Sequence, residues 1–195
     1  MALKYKIVLA GSKNVGKSSL IARFCDNIFN EKTKATMGVA FKRKKVKVKE
    51  GVDIELSIWD FAGEEKYRIL FPSYLHGASA ALICFDITRR DTFNDINSWV
   101  DLINQNTHEN VIKILIPTKI DLEEEKQIDE KEAFEIAKEY KFARKPIFTS
   151  SKTGENVETA FLSVANEIMV RNFSLCDNCG KIYSKKLRIC NYCGL

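Results

Sequence analysis

The stretch GSKNVGKS, Gly11 to Ser18, decides the fold. It follows the apolar run KYKIVLA (Lys4–Ala10), which reads as a strand, and opens a helix-period segment from about Lys17 to Asp26. The octet fits G-x-x-x-x-G-K-[ST]. Between a strand and a helix, such a loop turns backbone N–H groups and the positive end of the helix dipole towards one point, where phosphate is held. Lys17 is expected to reach the β- and γ-phosphates and Ser18 to ligate Mg²⁺. Gly11, Asn14, Val15, Gly16 and Ser19 complete this part of the nucleotide site. A chance glycine turn would not come with both a strand and a helix.

Outward from the loop, apolar strand-like runs alternate with helix-period segments. FKRKKVKVKE (41–50) and VDIELSIWD (52–60) read as a hairpin about Glu50-Gly51. SAALICFDIT (79–88) and VIKILIPT (111–118) read as buried strands, and KPIFTS (145–150) as a short one. DTFNDINSWVDLINQ (91–105) reads as a helix with Asp91 as N-cap and Phe93, Ile96, Trp99, Val100 and Ile103 on one face. DEKEAFEIAKEYK (129–141) and NVETAFLSVANEIMVRN (156–172) are the remaining helices. This order predicts an α/β fold: a mostly parallel six-stranded sheet, one antiparallel edge strand, and helices on both faces. Ligands of such sheets bind at the carboxyl ends of the strands.

The other candidate site residues fall at those ends. Asp60 closes a strand and can hold Mg²⁺ through a water, while the Gly63 N–H can meet the γ-phosphate. Thr36, in the loop before the hairpin, offers a hydroxyl that completes the Mg²⁺ shell when γ-phosphate is present. In Thr118-Lys119-Ile120-Asp121, the Asp121 carboxylate can accept from guanine N1–H and the exocyclic amine, a donor pair adenine lacks. The Lys119 stem can cover the ring, Phe29 can stack on its edge, and Ser150, Ser151 and Lys152 can close the pocket.

The chain has 195 residues, 45% apolar and 29% charged, ordinary values for a folded soluble domain with a small appendage. No apolar run reaches the roughly 18 residues of a membrane span, and MALKYKIVLA is too short and mixed for a secretion signal. Of the net charge of +5, +4 lies from Arg171 onward, where five basic residues accompany one acidic residue. Four metal-bound thiolates would offset part of it, so nucleic acid is not an expected partner.

With these elements in place, residues 1–171 resemble a Ras-superfamily small GTPase, most closely the Rab branch. ATMGVAF (35–41) is similar to that branch's first-switch signature, WDFAGEEKYR (59–68) to its WDTAGQERFR, and SSKTGENV (150–157) to the last nucleotide loop. The resemblance implies a P-loop NTPase fold and a GTP hydrolase that acts as a GTP/GDP switch with Mg²⁺, of the kind used in membrane trafficking. It implies effectors that contact Phe41, Trp59 and Tyr74, an exchange factor and a GTPase-activating protein, and a cytoplasmic monomer that is peripheral at membranes through a partner.

Three departures bear on catalysis or nucleotide retention. Glu64 stands where the family has the glutamine that orients the attacking water. A carboxylate about 4 Å from phosphate charge is repelled by roughly 4 kcal/mol per unit-charge pair at an effective dielectric near 20. Glu64 is then expected to turn away, be offset by a cation or titrate upward, and intrinsic hydrolysis to be slow. Lys13 replaces a small residue; it is open whether it stabilises the transition state in cis, neutralises Glu64, or is simply solvated. Lys13, Lys17 and Glu64 are the candidate catalytic residues. Thr118 replaces the usual asparagine, which predicts faster nucleotide loss with guanine preference kept by Asp121. The six basic residues from Lys42 to Lys49 suit a soluble edge strand, or a basic strip for an acidic partner or anionic membrane.

Residues 172–195 form a separate expectation. Cys176, Cys179, Cys190 and Cys193 read C-x₂-C-x₁₀-C-x₂-C with glycine after each pair. A closed Cys₄ Zn²⁺ site in a small ribbon fits best; two disulfides or a rubredoxin-type iron are the alternatives. The metal would be structural. Cys193-Gly194-Leu195 is not a prenylation signal, so no lipid anchor is expected. A second function stays open: a hydrolysis-deficient GTP-binding scaffold whose ribbon mediates protein or nucleic-acid interaction.

Overall fold

The computed structural model describes residues 3–31, 36, 38–48 and 52–195. The hairpin turn at Glu50-Gly51, Lys49 of the basic run, and Ala35 and Met37 of the first-switch signature lie outside the described residues.

Strands β1 (Leu3–Ala10), β2 (Val39–Lys47), β3 (Asp53–Phe61), β4 (Ala78–Asp86) and β5 (Ile112–Thr118) form one sheet in the order β2-β3-β1-β4-β5. β1 runs parallel to both neighbours, while β2 pairs antiparallel with β3 at the edge, Val39 opposite Phe61 and Lys47 opposite Asp53. Side chains alternate across the sheet. Ile7, Leu9, Ile54, Leu56, Ile58, Leu82 and Ile114 meet helices α1 (Lys17–Asp26) and α7 (Val157–Asn172) on one face. Phe24 of α1 stacks on Phe161 of α7 with centroids 4.0 Å apart. Val8, Ala10, Ile83, Phe85 and Leu115 face the other side, against Phe71 and Leu75 of α3 (Phe71–Leu75), Trp99 of α5 (Ile96–Asn106) and Ala133 of α6 (Glu130–Glu139). Burying each large apolar side chain contributes about 1.5–3 kcal/mol, and burial on both faces explains why β1, β4 and β5 read as near-continuous apolar runs.

Two expectations are corrected. The segment expected as a sixth strand runs along β5, donating from Ile147 to Leu115 and from Thr149 to Pro117, yet only Thr118 and Thr149 form a bridge. The return bond between these two would need an N–H from Pro117, which proline lacks. The helix expected from Asp91 is two helices, α4 (Arg90–Asn94) and α5, interrupted at Asp95. Asp91 is not the N-cap. Arg89 holds that position in extended backbone without a side-chain cap bond, and the Asp91 carboxylate accepts from the Arg89 guanidinium at 2.6 Å. Phe93 accordingly sits on α4, edge-to-face with Phe85.

Beyond α7, β6 (Phe173–Leu175) and β7 (Ile182–Ser184) make a separate antiparallel pair. Phe173 and Ile182 pack against the α1–α7 core, so this unit rests on the main domain. A groove lined by Leu3, Val52, Asp53, Phe173, Ile182 and Tyr192 marks the junction. Leu3 and Asp53 begin β1 and β3, which places the unit at the end of the sheet away from the strands' carboxyl ends.

Candidate functional site

β1 ends at Ala10, and the chain turns through Gly11 at φ 136° before α1 starts. No side chain fits at Gly11: a Cβ there would lie 2.2 Å from the Cys84 carbonyl oxygen of β4. Gly16, at φ 96°, is the N-cap of α1, so the helix N-terminus opens into the loop. Lys17 follows, 6% exposed, and donates to the Gly11 carbonyl at 2.6 Å and the Ser12 carbonyl at 3.0 Å. Burial pushes its pKa down and the nearby Asp60 carboxylate pushes it back up. Among the described residues this buried cation donates its hydrogen bonds to backbone carbonyls, an arrangement that suits exchange onto an anionic ligand.

Asp60 arrives from β3, where its pairing with Leu9 of β1 brings it beside the loop. Its Oδ2 accepts from Ser18 Oγ and, at 3.3 Å, from Thr36 Oγ1, and the two hydroxyls lie 2.5 Å apart. Its Oδ1 is buried and has no hydrogen-bond partner among the described residues. Burial raises the Asp60 pKa; the Ser18 bond, the Lys17 charge and the Thr36 bond oppose it. One carboxylate with a spare buried oxygen and two converging hydroxyls make an all-oxygen donor set, which fits Mg²⁺. Gly63 packs on the loop so closely that a Cβ would meet the Ser12 carbonyl carbon at 2.4 Å. Beside it, Lys13 Nζ lies 2.8 Å from Glu64 Oε1, both partly exposed.

The next two strand ends supply the rest. Thr118, closing β5, is 2% exposed, and its hydroxyl lies 2.6 Å from the Val15 carbonyl and 2.8 Å from the Phe85 carbonyl. Lys119 has φ 63°, an uncommon conformation for lysine. Its Nζ sits 2.6 Å from Oδ2 of the fully buried Asp86, off the axis of a hydrogen bond, as an ion-pair contact. Asp121 Oδ1 accepts from Ser150 Oγ at 2.5 Å, which joins the two base-side loops.

These residues surround a cavity of about 510 Å³, within the range of small-ligand sites. Asn14, Gly16, Lys17, Ser18, Ser19, Phe29, Thr36, Gly63, Thr118, Lys119, Asp121, Ser151 and Lys152 line it, with Lys13 and Glu64. Gly11, Val15 and Ser150 stand behind the wall and act through their backbone or hydrogen bonds. Sequence reasoning missed Asn30, Glu31, Phe61 and Leu122 in the lining. It also missed Arg23, whose guanidinium donates at 2.7 Å to the carbonyls of both Ser151 and Lys152 and pins the base loop to α1. Its only signal is a basic residue in the last turn of α1, which fits many roles.

Phe41, Trp59 and Tyr74 form a contiguous row, with centroids 5.1 Å and 5.9 Å apart, and Phe41 is 42% exposed. In the C-terminal unit, the sulfur atoms of Cys176, Cys179, Cys190 and Cys193 all lie within 4.8 Å of one another. Cys176 and Cys193 are 3.6 Å apart and Cys179 and Cys190 3.7 Å. That is too long for a disulfide of about 2.05 Å and close to the roughly 3.8 Å edge of a tetrahedron with metal–sulfur bonds near 2.3 Å. Gly180 N–H closes on Cys176 O at 2.8 Å and Gly194 N–H on Cys190 O at 2.9 Å, giving two matching knuckles. The donor set fits Zn²⁺, which would supply the fold this unit cannot make from apolar burial.

The chain therefore places a glycine loop, an oxygen donor set that fits Mg²⁺ and a cavity wall of Thr118, Lys119 and Asp121 at successive strand ends. The family model of the Ras family matches residues 6–170. The chain belongs to the Ras family: it is a small GTPase, a guanine-nucleotide switch that works with Mg²⁺.

Proposed function

We propose that this switch is Rab-like, that it hydrolyses GTP slowly, and that Lys13 holds Glu64 as an ion pair. The observation that carries the reading is the 2.8 Å separation of Lys13 Nζ and Glu64 Oε1 at the mouth of the nucleotide cavity. A free carboxylate there would repel phosphate; the ammonium cancels most of that repulsion, so GTP is held. A carboxylate engaged by lysine cannot orient water as a glutamine amide does, so turnover is slow. Both side chains are partly exposed, so the pair adds little to fold stability. Lys17 supports the transferring phosphoryl charge. Mg²⁺, held by Ser18, Thr36 and, through a water, Asp60, would neutralise charge between the β- and γ-phosphates.

The remaining roles follow the same reading. Residues 1–171 are the GTPase domain and 172–195 a Zn²⁺ ribbon. Effectors meet the GTP state across Phe41, Trp59 and Tyr74, and an exchange factor and an activating protein run the cycle. The protein is a cytoplasmic monomer that reaches membranes through a partner.

Single-turnover phosphate release from GTP-loaded protein tests this. Glu64→Gln is expected to speed release at least tenfold. Lys13→Gly should slow the wild type yet leave the Glu64→Gln variant unchanged, because a neutral amide at that position has no charge to offset. If Lys13→Gly slows both, Lys13 acts on the transition state itself. If wild type is inert and Glu64→Gln restores turnover, Glu64 has abolished hydrolysis and the chain is a GTP-holding scaffold.

A further inference from the structure

We propose that Asp95 is a positioning residue that ties the phosphate loop to the segment after Gly63 and so sets how fast nucleotide leaves; the proposal rests on the guanine-nucleotide reading above. Three donors from three elements converge on one oxygen, Asp95 Oδ2. Ser12 Oγ of the phosphate loop donates at 2.6 Å and Trp99 Nε1 of α5 at 2.9 Å. The Arg68 guanidinium, at the end of α2 (Glu65–Arg68), forms an ion pair with the same oxygen. Arg68 also lies over the Trp99 ring, 4.2 Å from its centroid, so its charge is held by a carboxylate on one side and a π-face on the other.

Ser12 is the joint of the phosphate loop. Its carbonyl takes the Lys17 ammonium at 3.0 Å. Its carbonyl carbon occupies the space a side chain at Gly63 would need. Lys17 and Gly63 are the two groups placed to meet the terminal phosphate, and both bear on the Ser12 backbone. Asp95 holds the other end of the same residue, its hydroxyl, and through it Arg68, five residues past Gly63. Phosphate and Arg68 therefore act on Ser12 from opposite sides. Asp95 is also where the helix expected from the sequence is interrupted between α4 and α5. Arg68 Nε is buried without a hydrogen-bond partner among the described residues, so loss of the carboxylate would leave a poorly compensated charge.

The test is release of fluorescently labelled GDP from the whole, Mg²⁺-loaded chain, chased with excess GDP. Wild type is compared with Ser12→Ala, Arg68→Ala, the double variant and Asp95→Asn. Ser12 and Arg68 are joined through Asp95, so their effects should not multiply. Each single change is expected to speed release at least threefold, and the double variant no more than the larger single. Asp95→Asn should speed release similarly, and adding Ser12→Ala to it should change nothing further. Arg68→Lys, which keeps the charge, should recover part of the wild-type rate. Multiplicative single effects, or wild-type release from Asp95→Asn, would overturn the proposal while the nucleotide reading stands. The Ser12/Arg68 comparison decides the matter even if variants at Asp95 do not fold. A wild type that holds no GDP would overturn both.

Discussion

Thr118 offers one hydroxyl proton to two buried carbonyls, those of Val15 and Phe85. Only one can receive it at a time, so the link between phosphate loop and base loop is shared. An asparagine carries two N–H donors and could serve both. Thr118→Asn is therefore expected to slow GDP release roughly threefold to tenfold, the equivalent of about one net hydrogen bond, without altering guanine preference, for which Asp121 is the proposed determinant. A stopped-flow release trace decides it: an equal or faster rate would mean the shared proton is not what limits retention. This residue was legible because it sits inside a motif and its departure could be read chemically. Arg23 and Asp95 were not. The loop residues they tie down, Ser151 and Ser12, lie 128 and 83 positions away in the chain, and no local pattern encodes a contact of that span.

Elements were legible where periodicity and end signals agreed. Helix α1 begins and ends as read, at Lys17 and Asp26, because a glycine loop and an αL residue, Asn27, bound it. Helix α6 carries a full capping box: Asp129 accepts from the Glu132 N–H at 2.8 Å, and Glu132 accepts from the Asp129 N–H at 3.1 Å. Where the reading failed, a second local feature overrode the first: the Asp91 carboxylate is taken by Arg89 two residues earlier, and Pro117 lacks the N–H that a ladder needs. Glu132 shows how one residue can belong to both levels, since it also pairs with Arg90 of α4. Asp129→Ala should cost about 1 kcal/mol in a denaturant melt. The Arg90 hydrogen bond first, and the Asp129 backbone bond second, hold the Glu132 pKa below its ordinary 4.5. Its contribution is then fully present above about pH 4.5 and fades as pH falls through the lower folded value. The stability gap between wild type and Glu132→Gln should shrink on acidification below pH 4. A gap that stays constant to pH 2 would mean that the charge contributes nothing and the backbone cap alone matters.

At the scale of the whole molecule, two centres sit at opposite ends of one sheet. The nucleotide cavity is built at the carboxyl ends of β1, β3 and β5, while the C-terminal unit rests against Leu3, Val52 and Asp53 at the other end. The eight residues of β1 separate them by about 26 Å. The unit has two three-residue strands and buries Cys176 and Cys190, while its apolar side chains stay partly buried or exposed, so its order depends on the four sulfurs. About one Zn²⁺ per chain should be released by a strong chelator under reducing conditions. Limited proteolysis should then cut after residue 175, where the uncapped knuckles open. GDP release should stay within about twofold of the untreated rate, because no strand carboxyl end loses a partner. Loss of Phe173 and Ile182 from the α1–α7 core would still lower the melting temperature by several degrees, given an apolar contribution of about 1.5–3 kcal/mol per large side chain. Cys190→Ser should reproduce both effects without chelator. If instead chelation sped GDP release tenfold, the ribbon would be coupled through α7 to the base loop at Ser150–Lys152, and its place at the far end of the sheet would be regulatory.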